Sequence, residues 1–280
     1  MTSFRYFTGR ADASLEKSNS ATAERNHAKK CRLPVAKTTR RTWLPEEHGA
    51  WAMLTVPFLA GTLLAPRPGW AHALLFAAWL LGYVAVFHGR QWLRLHARGL
   101  RSAGRHALPA VVFGAAFAAA GVPLALLHPW LVAAALFASP FVLVNTYFAW
   151  RGRERALLNG LAAVVPACGM LLVAARLGGL GPALSWPGGV ACLLYFAGTV
   201  PYVKTMIRER NSPSYRLGSA VYHAAALVAA AFLSPWLAIP FAAYLARSLA
   251  LPGRGLRPPV VGALELACST ALLLTLPLSL

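Results

Sequence analysis

From Trp43 onward the chain alternates between long apolar blocks and short polar gaps. The blocks run 50–65, 70–88, 107–127, 130–150, 156–176, 187–206, 217–233, 235–247 and 258–280. A helix of roughly 20 apolar residues crosses a ~30 Å hydrocarbon core, and about nine blocks reach or approach that length. Membrane-spanning strands would instead alternate apolar and polar positions over about ten residues, and these blocks show no such alternation. The pattern predicts an all-α, polytopic membrane helix bundle of about nine transmembrane helices. The eighth block is short and abuts Ser234-Pro235, so the seventh and eighth could also form one broken hairpin. Pro57, Gly61, Pro123, Pro140, Pro166, Gly169, Gly198 and Pro201 lie inside blocks, where tight packing and local kinks accommodate such residues.

The gaps carry the next signal. Of 27 Lys and Arg, 25 fall in the first 42 residues and in every second gap, among them Arg90, Arg94, Arg151, Arg155, Lys204, Arg208, Arg247 and Arg254. Only Arg67 and Arg176 lie in the intervening gaps. This positive-inside asymmetry predicts a cytoplasmic N-terminus, an exterior C-terminus and a bacterial cytoplasmic (inner) membrane location. Removing one helix from the count would break the alternation. Composition agrees: 58% of the 280 residues are hydrophobic, 12% are charged, and the mean hydropathy is +0.53.

The net charge of +19 raises nucleic acid as a partner. Because the charge is divided among short gaps beside membrane ends, topology and anionic headgroups account for it, and the expected partners are membrane lipids rather than nucleic acid. Residues 1–42 read as a separate polar, basic cytoplasmic tail expected to be disordered, and 43–280 as the transmembrane helical domain. The tail has no apolar run of 7–15 residues, which a secretory signal peptide needs. Cys31, Cys168, Cys192 and Cys268 have neither paired spacing nor histidine neighbours, so no disulfide framework or metal site is indicated.

Acidic residues limit the chemistry most. Beyond Asp12, Glu16 and Glu24 in the tail, the chain has only Glu46, Glu47, Glu154, Glu209 and Glu265, and no aspartate at all. A magnesium–diphosphate site needs several converging hard carboxylates, so neither metal nor cofactor is expected. At the first helix, Glu47 and His48 are the candidate catalytic, proton-transferring pair, with Trp51 one turn on; the helix dipole alone also favours carboxylates there. His88 and Arg90 in the second gap, Asn145, Arg155 and Asn159 around the fourth, and Lys204, Arg208, Tyr222 and His223 around the sixth are the candidate substrate-binding residues. Their structural alternatives are amides acting as helix glue and cations snorkelling to headgroups. His72, His106 and His128 read as interfacial.

The stretch Pro45-Glu46-Glu47-His48-Gly49-Ala50-Trp51-Ala52-Met53-Leu54 resembles the YwiC-like family of bacterial membrane proteins. Arg153-Glu154-Arg155-Ala156-Leu157-Leu158-Asn159 and Arg208-Glu209-Arg210, followed by Pro213, Tyr215 and Arg216, agree with it. The resemblance covers about 43–280 and implies kinship rather than a reaction. A more distant similarity, to the UbiA superfamily of intramembrane prenyltransferases, implies a UbiA-like arrangement of nine helices with polar loops after helices two and six. Those enzymes carry Asp-rich motifs in these loops. Here His88-Gly89-Arg90-Gln91-Trp92 and Lys204 to Arg210 stand instead, so their metal-dependent mechanism does not transfer.

The cationic, aromatic and amide-bearing gaps fit a cavity for an amphiphile with an anionic head, bound or transferred without metal. The alternative is a transporter or a non-catalytic accessory membrane subunit. The residues leave substrate and oligomeric state open.

Overall fold

Each apolar block forms one helix because its backbone polar groups have no other partner in hydrocarbon. The computed structural model describes residues 43–45 and 48–279; the tail, Glu46, Glu47 and the side chain of His48 lie outside the described residues. The helices are α1 (His48–Leu64), α2 (Trp70–His96), α3 (Gly104–Leu127), α4 (Trp130–Trp150), α5 (Leu157–Leu177), α6 (Pro182–Ile207), α7 (Pro213–Leu233), α8 (Pro235–Ala250) and α9 (Pro258–Ser279), with a single 3-10 turn at Arg101–Ala103. Seven are long and apolar enough to cross a membrane, which marks a multi-pass membrane protein. The exceptions, α1 and α8, have 17 and 16 residues, at and just below the usual lower limit of about 17.

Glycine and proline set the boundaries. Proline stands at the start of α6, α7 and α8, where its missing N–H costs nothing. Gly152 and Gly179 end α4 and α5 in left-handed conformations, φ +66° and +94°. Beyond Gly152, the amide of Arg153 reaches back to Phe148 O at 2.8 Å, and beyond Gly179 that of Leu180 reaches Ala175 O at 2.9 Å. These bonds satisfy carbonyls that a helix end otherwise leaves bare. Ser234 separates α7 from α8 in an extended conformation, so the two are distinct helices.

Within the unit 44–280, α1, α5, α6, α7, α8 and α9 pack in that cyclic order, and α6 meets all five others. Small residues let the backbones approach. A β-carbon on Gly61 of α1 would lie 2.9 Å from the Leu171 Cα of α5. The core runs through Val56, Val164, Leu171, Tyr195, Phe241, Tyr244 and Leu272. Outside this ring, α2 and α3 form a hairpin and α4 leans on α2 and α5. Most side chains of α3 and α4 are exposed, as a lipid-facing surface requires.

Two boundaries differ most from the sequence expectation. Helix α2 continues past residue 88 to His96, so Arg90 and Arg94 ride on a helix of 27 residues, about 40 Å long, rather than in a loop. Helix α6 begins at Pro182 instead of 187. Short connections make successive helices antiparallel, and direct contacts tie the cation-rich gaps to one end. Arg94 Nη1 bonds Glu154 Oε2 at 2.6 Å, Lys204 Nζ bonds Arg155 O at 2.7 Å, and Arg210 Nη2 bonds Leu256 O at 3.2 Å.

Candidate functional site at the cation-rich end

At that end a groove of about 380 Å³ opens between α5, α6 and α7. Its walls are Leu157, Leu161, Ala197 and Pro201, with Ser219 and Tyr222 deeper on α7. Lys204 stands three residues beyond Pro201, near the end of α6. Its ammonium sits 5.9 Å from the ring centre of Tyr215, which also lines the groove, and donates one bond to Arg155 O. An ammonium has three donors, so two remain for a ligand at the mouth. The positive end of the α7 dipole lies at the same place, where Ser212 caps the helix by accepting from the Tyr215 amide. The groove is therefore apolar in its depth and electropositive at its rim.

Ser219 differs from the other buried helical serines and threonines, although the buried Tyr202 hydroxyl also lacks a partner. Ser185, Thr205, Ser248 and Ser269 each donate to a carbonyl three or four residues back, the ordinary resting place of a helical hydroxyl. The Ser219 hydroxyl has no partner although the residue is only 1% exposed. Its backbone carbonyl accepts from His223 Nδ1 at 2.7 Å. Since a carbonyl only accepts, His223 carries a proton on Nδ1. Tyr222 donates to Leu194 O at 3.1 Å and, with His223, packs against Gly198 of α6.

Most of the remaining sequence candidates make separate pairings on α1, α2, α4 and α5. Arg90 Nη1 donates to Asn145 Oδ1 at 3.3 Å, and the Asn145 amide donates to Phe141 O at 2.8 Å. Asn159 donates to Glu154 O at 2.6 Å beside the Arg94–Glu154 pair. Here the amides bind helices and loop together. His88 Nδ1 and His106 Nδ1 are 2.9 Å apart, and Arg105 Nε donates to His106 Nε2 at 3.2 Å. His106 thus presents Nδ1–H to His88. His72, read from sequence as interfacial, is buried; its Nε2 donates to Ala174 O and its Nδ1 accepts from the Gly69 amide. Trp51 Nε1 donates to Pro45 O at 3.2 Å, and its ring meets Tyr83 edge-on. The side chains of Arg155 and Arg208 are exposed. Of the sequence candidates Tyr222 lines the groove and Lys204 stands at its rim beside Tyr215, while the others make contacts elsewhere or are exposed.

One buried site was missed from sequence. Arg247 of α8 and Glu265 of α9 form an ion pair, 8% and 7% exposed. Thr199 and Tyr195 of α6 donate to Glu265 Oε2 at 2.9 and 3.2 Å. The guanidinium lies 4.5, 5.2 and 5.5 Å from the ring centres of Tyr202, Tyr244 and Tyr195. Tyr195, Thr199 and Tyr202 share one face of α6 through their spacing of four and three. Both charges are solvated by protein, the carboxylate by donors and the cation by ring faces. This arrangement fastens α8 and α9 to α6. A signal for it existed: Glu265 is the one carboxylate inside an apolar block, and an intramembrane ionisable residue marks a special site. Among the described residues no three His, Cys, Asp or Glu side chains converge as metal ligands.

Comparison with known proteins fits this architecture. The profile of the family described as "YwiC-like protein" matches residues 44–175. An uncharacterised protein of Haemophilus influenzae is 32% identical over 83% of this chain and 96% of its own length. The Bacillus subtilis protein named "Uncharacterized protein YwiC" is 30% identical over 80% of this chain and 92% of its own. No solved structure matches the chain significantly. With a family profile spanning α1 to α5 and relatives aligned along nearly their whole length, the chain belongs to the YwiC-like family.

Proposed function

We propose that this protein binds an amphiphile with an anionic head at its cation-rich end, the head held by side chains rather than by magnesium. One observation carries the reading: Lys204 stands with unspent donors at the rim of a groove whose depth is apolar. An ammonium and a helix N-terminus attract an anion, while apolar walls favour a hydrocarbon chain. Arg155 and Arg208 are exposed beside this rim and raise its potential. Arg90 and Asn145 join α2 to α4, and Asn159 holds the loop at Glu154, rather than touching the ligand. In this reading that end is cytoplasmic and the membrane a bacterial inner membrane, an orientation the positive-inside rule favours. A transfer step would draw on Glu47 and His48 for proton movement.

The test is lipid retention by the detergent-purified protein, read by native mass spectrometry. Lys204→Ala with Arg208→Ala strips the bound anionic lipid while the thermal unfolding midpoint stays near wild type. Unchanged lipid content in a folded double variant would end the proposal.

A further inference from the structure

We infer that the α5–α6–α7 groove takes an ester-linked acidic glycerophospholipid, with Ser219 donating to an acyl ester carbonyl. The inference rests on the anionic-amphiphile reading and adds what lies beneath the head. A buried hydroxyl without a partner is costly, and the other buried helical serines and threonines described above avoid that cost by bonding back along their helices. Ser219 forgoes that bond and lines the groove instead. An acceptor brought by a ligand would satisfy it.

The position of Ser219 selects the acceptor. Tyr215, beside Lys204, marks the electropositive rim. Ser219 follows it by four residues, about 6 Å further along the axis of α7 and on the same face. A glycerophospholipid carries its ester carbonyls a few bonds below the phosphate, where headgroup gives way to hydrocarbon. Phosphate at Lys204 therefore brings an ester carbonyl level with Ser219, and the acyl chain continues along Leu161, Ala197 and Tyr222. A polyprenyl or simple alkyl phosphate has no carbonyl at that depth and leaves Ser219 bare. The lipid is recognised at two points, by charge at the rim and by a neutral hydrogen bond one turn below.

Purified full-length protein is titrated with phosphatidylglycerol, with its diether analogue bearing the same headgroup, and with a long-chain alkyl phosphate. Wild type prefers the ester lipid over the other two by about threefold to tenfold, the value of one hydrogen bond. Ser219→Ala, which removes only an oxygen, abolishes the preference and leaves affinity for the diether lipid unchanged. Lys204→Ala weakens ester and diether lipids equally. Equal binding of ester and diether lipids by wild type, or a preference that survives in Ser219→Ala, would overturn the inference while leaving the anionic-amphiphile reading intact. Binding of all three that is insensitive to Lys204→Ala, or no binding by wild type, would remove both.

Discussion

The guanidinium of Arg247 on α8 reaches the carboxylate of Glu265 on α9, and three tyrosine rings enclose the pair. Charges this deep resist removal one at a time, because the survivor is left uncompensated. Glu265→Gln or Arg247→Met alone should lower stability by about 3–5 kcal/mol. The double variant Arg247→Met with Glu265→Leu should recover most of that loss. Thermal unfolding in a single detergent would show it as two low midpoints and one near wild type. Additive losses in the double variant would mean that the two side chains do not act as a unit.

Glycine contacts make a sharper packing test. A β-carbon on Gly61 would collide with the Leu171 backbone, whereas one on Gly169 would meet nothing within 4 Å. Backbone cannot move aside as a flexible side chain does. Gly61→Ala should therefore destabilise by about 1–3 kcal/mol by forcing α1 away from α5. Gly169→Ala, also inside a helix, should be neutral or slightly stabilising, since alanine restricts the unfolded chain. Equal midpoints for the two variants would show that α1 and α5 are less closely apposed than these contacts require.

Much of the fold was legible because each helix must bury its own backbone bonds and so announces itself as a continuous apolar block. Even the break at Ser234-Pro235 is visible, since proline suits the first position of a new helix and interrupts the one before it. The site was less legible. Arg247 lies beside Arg254 and Arg257 in sequence and reads as one more gap cation, yet it points inward to a carboxylate 18 positions away. Ser219 looks like any helical serine, and its missing hydrogen bond exists only in three dimensions. Arg90 and Asn145 were recognised as polar groups near the membrane end, but their mutual bond depends on how α2 leans against α4. Periodicity reports which residues are apolar; pairing between helices depends on rotations that it leaves unspecified.

Orientation remains the property from which the location of the groove follows, and it can be tested without knowing any ligand. Ser102 is exposed in the gap between α2 and α3, at the cation-rich end, and Ala183 is exposed at the start of α6, at the opposite end. With Cys31, Cys168, Cys192 and Cys268 replaced by serine or alanine, Ser102→Cys and Ala183→Cys each provide one reporter thiol. Lysines and arginines resist translocation, which predicts a cytoplasmic location for the end they crowd. A membrane-impermeant maleimide should then label Ala183→Cys on intact spheroplasts and Ser102→Cys only after lysis. The opposite result would put the Lys204 rim outside the cell, so that its lipid came from the outer leaflet. Labelling of both thiols from one side would mean that an odd number of crossings does not separate them, and that one of α3, α4 or α5 fails to span.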